Sequence, residues 1–137
     1  MKVLRIPART DQLDAVQAFI DEQLSAIYCS LEEQIQLQIA VEELFVNIAH
    51  YAYNPEIGEA IIGCNVDQAP PSITIQFRDR GVPFNPLARE DADISLSAED
   101  RDIGGLGIFM VKDYMDEVTY AYEDGQNVLT LRKTLGD

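Results

Sequence analysis

Three polar side chains, Glu43, Asn47 and His50, interrupt the most strongly helix-patterned run of the chain, within VEELFVNIAHYAY at residues 41–53. At 3.6 residues per turn they stand at i, i+4 and i+7, within about 60° of one another on the helical wheel. A carboxylate, a carboxamide and an imidazole therefore share one face. The stripe of Leu37, Val41, Leu44, Ile48 and Tyr51, roughly 100° away, reads as the core side. Taken alone, such a trio is equally the solvated face of an ordinary helix. A second feature is GGLG, Gly104 to Gly107, directly before a helical pattern at 108–114. Glycines at a helix N-terminus let the backbone approach a phosphate, and unpaired N–H groups at the positive end of the helix dipole face it. The run reads as an anion site in an acidic chain. A third is DRGVPFNP, where Asp79 ends an apolar strand-like run and Gly81 and Pro83 hold a tight turn.

These groups must be placed by the elements around them. KVLRIPA alternates as a short strand, and TDQLDAVQAFIDEQL follows as a helix with Thr10 or Asp11 as its N-cap. Ser30 followed by Glu33 is a capping box that opens the longest helix, which runs to the break at Asn54 and Pro55. EAIIGCNV and SITIQFRD are strands separated by DQAPPS, whose paired prolines cannot continue a ladder. Residues 85–102 carry six acids and two arginines with no sustained period, the pattern of a long loop. After the helix that GGLG opens, DEVTYAYED and NVLTLRKTL alternate as two strands joined near Gly125. Strands and helices are segregated rather than strictly alternating. This predicts an α/β two-layer sandwich, a mixed and mostly antiparallel sheet with helices on one face.

A chain of 137 residues is the size of one domain, 1–137. The formal net charge of −14 repels phosphate backbones and anionic headgroups, which argues against direct nucleic-acid or membrane partners. A basic protein surface suits it as a partner, although an acidic balance also serves solubility. No segment has the apolar length of a bilayer span, and MKVLRIPART is too short and broken in its apolar run for a signal peptide. A cytoplasmic location is expected. Cys29 and Cys64 lack metal-ligand spacing and read as reduced, structural thiols.

The three motifs in this order, a helix with E-x-x-x-N, a strand ending in D-x-G and, after a lid-length loop, G-G-x-G opening a helix, resemble the GHKL (Bergerat-fold) ATPase superfamily. Within it the chain is similar to the small anti-sigma-factor serine/threonine kinases of bacteria. EELFVNIAHYAY resembles that family's N box, DRGVPFNP its first glycine box, GGLGIFMVKDYMDEV its second, and NVLTLRK its closing strand. The resemblance implies ATP with Mg²⁺: Asn47 as metal ligand and nucleotide contact, Glu43 as catalytic base, and Asp79 accepting a hydrogen bond from the adenine amino group. It further implies that Gly81, Gly104, Gly105, Leu106 and Gly107 bind nucleotide, with an ATP lid at about 85–103. Glu42, next to the proposed base, points roughly 100° away from it. Two departures stand out: Pro83, followed by Phe84, replaces the second glycine of the first box, a change familiar among the anti-sigma-like members. Tyr51 also stands where several of these kinases carry a histidine, and His50 lies one residue earlier, leaving its part open between packing and the phosphate side. The implied partners are a STAS-domain anti-anti-sigma protein as phosphoacceptor and a sigma factor or similar regulator as client, with a possible homodimer. The rival reading is an ATP-sensing binding module without phosphotransfer.

Overall fold

The computed structural model describes residues 1–53, 58–88 and 103–136. Strand β1 (Lys2–Pro7) leads through a 3-10 turn into helix α1 (Leu13–Leu24), followed by helix α2 (Leu31–Asn47) and a π-helical turn (Ile48–Ala52). Strands β2 (Glu59–Gln68) and β3 (Pro71–Asp79), helix α3 (Ile103–Tyr114), and strands β4 (Glu117–Glu123) and β5 (Gln126–Thr134) complete the order read from the sequence. The sheet order is β1-β2-β3-β5-β4, and every neighbouring pair is antiparallel. The mostly antiparallel sheet expected is, among the described strands, antiparallel throughout. The β2–β3 and β4–β5 connections are too short for a crossover, and a short turn can join only antiparallel neighbours.

Two local expectations change. The strands around DQAPPS run further into it than their patterns indicate, because Pro71 sits at the first residue of β3, where a missing N–H is tolerated. Thr10 and Asp11 do not cap α1; they lie in the preceding 3-10 turn, and Gln12 holds the N-cap position without a side-chain capping bond. The β4–β5 turn is as its residues require, with Asp124 and Gly125 both at positive φ, 53° and 76°.

Period-two alternation puts Ile73, Ile75, Phe77 and Asp79 on one face of β3, opposite Cys64, Ile62 and Ala60 of β2 and Leu131, Leu129 and Asn127 of β5. Against that face α1 packs Val16, Ile20 and Leu24, α2 packs Leu37, Val41, Leu44 and Phe45, and α3 packs Ile108 and Val111. The other face carries a polar row in which Arg78 donates to Gln76 and Gln76 to Thr130. The helices therefore cover one face only, as two layers. Fully burying each large apolar side chain in that seam contributes about 1.5–3 kcal/mol, and Phe45 and Phe77 are its largest members.

Helix α2 starts with the capping box its sequence announces. Ser30 Oγ accepts from the Glu33 N–H at 3.1 Å, while Glu33 Oε1 accepts from the Ser30 N–H at 3.1 Å. The same carboxylate accepts from the Gly136 N–H, tying the chain's C-terminal end to the start of α2. At the other end, the π-helical turn changes the wheel. Its wider i→i+5 turns delay the rotation, so Ala52 takes the inward position that an unbroken α-helix gives Tyr51. Tyr51 is 44% exposed instead. Both cysteines are free. Burial pushes the Cys64 thiol up to about 11 and also raises that of Cys29, so neither is an activated nucleophile. No helix among the described residues is long and apolar enough to cross a membrane.

Candidate nucleotide site

At one end of the sheet, where α2 gives way to the π-helical turn, the helical layer and the sheet leave a pocket. Its unfilled space is about 410 Å³, a figure that includes open solvent at its mouth. Leu44, Ile48, Phe77, Phe84 and Leu129 form apolar walls, while Asn47, Asp79, Tyr120 and Asn127 supply polar groups. Asp79 reaches it because it is the last residue of β3 on the inward face, a position that alternation with Phe77 and Ile75 dictates. It is only 5% exposed.

A carboxylate so buried must be held by donors. Asp79 Oδ1 accepts from the Gly81 N–H and from Asn127 Nδ2, both at 2.9 Å. No donor reaches Oδ2 among the described residues. Burial raises the Asp79 pKa, and the bonds from Asn127 and Gly81 oppose that rise without cancelling it. Asn127, its cross-strand partner on β5, is committed on every side. Nδ2 also donates to the Val82 carbonyl at 2.8 Å, and Oδ1 accepts from the Phe84 N–H at 3.0 Å and from the Tyr120 hydroxyl. Sequence reasoning does not single out Asn127 or Tyr120. A signal for Asn127 exists, since by alternation it faces the same side as Leu129 and Leu131, where a carboxamide calls for a buried partner.

One turn of helix separates Glu43 from Asn47, and the two are bonded: Asn47 Nδ2 donates to Glu43 Oε1 at 3.3 Å. That bond orients the amide, leaving Asn47 Oδ1 with no donor among the described residues. Glu42 is exposed, as its wheel position requires. Gly107 meets this pair from α3. A Cβ built there would overlap the Glu43 carboxylate, so the absence of a side chain lets the helix lie against it. The glycine run is not a turn ahead of the helix, as its pattern suggests. Helix α3 begins at Ile103, so Gly104, Gly105, Leu106 and Gly107 are among its first residues. Glycine is only a poor helix former, not a forbidden one, and the first four N–H groups of any helix lack intrahelical partners. The donors expected for an anion thus belong to the first turn of α3.

Gly81 is packed against the end of the α2 layer. It is not among the pocket-lining residues, and a Cβ on it would run into the backbone of Ala52. The Val82 N–H donates to the Ala52 carbonyl at 3.0 Å beside it. Phe84, which follows the Pro83 that replaces the second glycine, forms pocket wall and rests on Tyr51 with ring centroids 5.8 Å apart. His50 does not join Glu43 and Asn47: it is exposed and stands edge-on to Tyr51, turned away by the same π-helical slip. Of the expected lid, Pro86–Ala88 form a 3-10 turn with Pro86 in the pocket wall, and 89–102 lie outside the described residues. Among the described residues no three His, Cys, Asp or Glu side chains cluster as a metal site.

The arrangement suits a planar heterocycle: an apolar slot with one buried acceptor at its end recognises an N–H donor, and Asn47 and the α3 first turn lie further along. The chain is similar to known proteins along most of its length. Serine-protein kinase RsbW of Bacillus cereus is 28% identical over 135 residues, covering 92% of this chain and 80% of the relative. The RsbW proteins of Bacillus thuringiensis subsp. konkukian and Bacillus mycoides match over the same shares at 28% and 24% identity. The sequence profile of the histidine kinase-like ATPase domain matches residues 6–133, and the chain belongs to that family.

Proposed function

We propose that the protein is an ATP-binding anti-sigma regulator that moves the γ-phosphoryl group of MgATP to a serine or threonine of a small STAS-type partner and sequesters a sigma factor or similar client. The observation that carries this reading is the buried Asp79 carboxylate, with one oxygen unclaimed in an apolar slot, placed beside the bonded Glu43–Asn47 pair. The RsbW relatives, named as serine-protein kinases, support the reaction class. The whole chain acts as one cytoplasmic domain, with 85–103 as the lid over the phosphates.

In this reading Asp79 Oδ2 accepts from the adenine amino group, and the walls of Phe77, Phe84 and Leu129 exclude water from the base. Asn47 Oδ1 is the oxygen ligand available to Mg²⁺, which supplies charge neutralisation at the phosphates when bound. The N–H groups of the first turn of α3 face the phosphate oxygens. Glu43 takes the proton of the acceptor hydroxyl as the oxygen–phosphorus bond forms and ADP leaves. The Asn47 bond orients the carboxylate, and Gly107 admits it.

The test uses wild type, Glu43→Gln and Asn47→Ala with MgATP and a cognate STAS protein. Glu43→Gln keeps MgATP affinity near wild type and lowers single-turnover phosphotransfer about 10²-fold or more. Asn47→Ala weakens MgATP binding and lowers the rate as well. Transfer by Glu43→Gln at the wild-type rate places the base elsewhere, and wild-type binding of MgATP without transfer makes the protein an ATP-sensing binding module.

A further inference from the structure

The nucleotide reading gives no duty to Tyr53, the residue that follows the π-helical turn. Its hydroxyl accepts the Arg80 N–H at 2.6 Å and donates its single proton to the Glu59 carbonyl at 2.7 Å. Its ring covers Gly58 so closely that a Cβ there would enter the ring. Burial raises the phenol pKa, so the proton given to Glu59 stays in place through neutral pH. Arg80 lies between Asp79 and Gly81, and the Gly81 N–H is one of the two donors that hold Asp79 Oδ1. The neighbouring links from the helical layer to this turn are the backbone bond from Val82 to Ala52 and the close approach of Gly81 to Ala52. Among the described residues, Tyr53 supplies the only side-chain hydrogen bond from the end of the α2 layer to residues 79–82.

We propose that Tyr53 is a positioning residue for base recognition: by holding the peptide between Asp79 and Arg80, its hydroxyl sets the direction of the Asp79 carboxylate without touching the nucleotide. The inference rests on the nucleotide reading above. Release of the Arg80 N–H removes the side-chain tie on the peptide between Asp79 and Arg80, and leaves the Val82–Ala52 backbone bond and the Gly81–Ala52 approach as the links of this turn to the helical layer. The Gly81 N–H then drifts from Oδ1, and the carboxylate keeps Asn127 as its one remaining hinge. Residues that face the phosphates, Asn47 and the first turn of α3, are anchored through α2 and α3 and do not share this hinge.

Tyr53→Phe removes the hydroxyl and keeps the ring over Gly58. Wild type and variant are titrated in parallel with ATP, adenosine and inorganic tripolyphosphate, all with Mg²⁺ at the same concentration. Amide resonances of the nucleotide-free proteins are recorded alongside. ATP and adenosine affinity should fall together, by about tenfold for one lost orienting hydrogen bond, with tripolyphosphate affinity unchanged within about twofold. The Arg80 and Gly81 amides should shift and exchange faster, while Ile75 within β3 does not. ATP and adenosine affinities equal to wild type overturn the proposal. So does a parallel loss for all three ligands with faster exchange at Ile75, which marks general loosening. A wild type that binds no ATP removes the nucleotide reading and this inference with it, whereas a wild type that binds ATP with no base–phosphate split in the variant removes this inference alone.

Discussion

Replacing Asp79 with asparagine exchanges one buried oxygen for an amino group, and the structure sets opposite signs for its effects on binding and on folding. In Asp79→Asn the introduced carboxamide can keep its oxygen where the wild-type Oδ1 lies, accepting from the Gly81 N–H and Asn127 Nδ2 as before. The amide nitrogen then replaces Oδ2, the atom that no described residue contacts. An adenine amino group would meet a donor instead of an acceptor, losing a hydrogen bond to a charged group worth about 1.5–3 kcal/mol, or about 10- to 150-fold in affinity. Folding responds differently. The folded pKa of Asp79 is raised by burial, so its contribution to stability is full below the unfolded-state pKa and lost as pH rises through the folded value. From the ordinary carboxylate range upward wild type progressively loses that contribution, whereas the neutral carboxamide has no charge to bury. The variant should therefore be at least as stable as wild type at pH 7, and the difference should shrink as pH falls below the ordinary carboxylate range. Calorimetric titration with MgATP and urea denaturation at pH 7 and pH 4 measure the two halves. ATP affinity within threefold of wild type, or marked destabilisation at pH 7, would refute the assignment of Asp79 to the base and leave it a structural carboxylate.

Gly107→Ala forces the Glu43 carboxylate off its present position, yet alanine is the better helix former by about 1 kcal/mol. Thermal stability should stay close to wild type while single-turnover phosphotransfer falls about as far as in Glu43→Gln; unchanged transfer would show that Glu43 acts from another rotamer or not at all. Ser30→Ala removes the side-chain half of the capping box at the far end of α2 and should cost about 1 kcal/mol in urea denaturation, with nucleotide affinity unaltered. A loss of affinity there would mean that the two ends of α2 are coupled.

The legible parts are those encoded by neighbours in the chain. The Ser30–Glu33 box, the positive-φ turn at Asp124 and Gly125, the apolar stripe of α2 as far as Leu44, and the strand ending at Asp79 all depend on contacts within a few residues. Glu43 and Asn47 fall on one face because an unbroken α-helix makes i and i+4 neighbours, and the helix is unbroken that far. Beyond Asn47 the same arithmetic fails. The π-helical turn moves Ala52 inward and leaves Tyr51 and His50 outside, because the Ala52 carbonyl and the close approach of Gly81 bind that segment to the β3 turn. The order of elements suggests an antiparallel or mixed sheet, and the short β2–β3 and β4–β5 connections make those two pairs antiparallel. The second partner of Asp79 lies 48 residues away: Asn127 reaches the carboxylate only when β5 is registered on β3 and Asp79 pairs with it. Tertiary packing therefore decides which polar groups meet in the pocket, because hydrogen bonds act over about 3 Å while the residues that make them are brought that close only by the closed sheet.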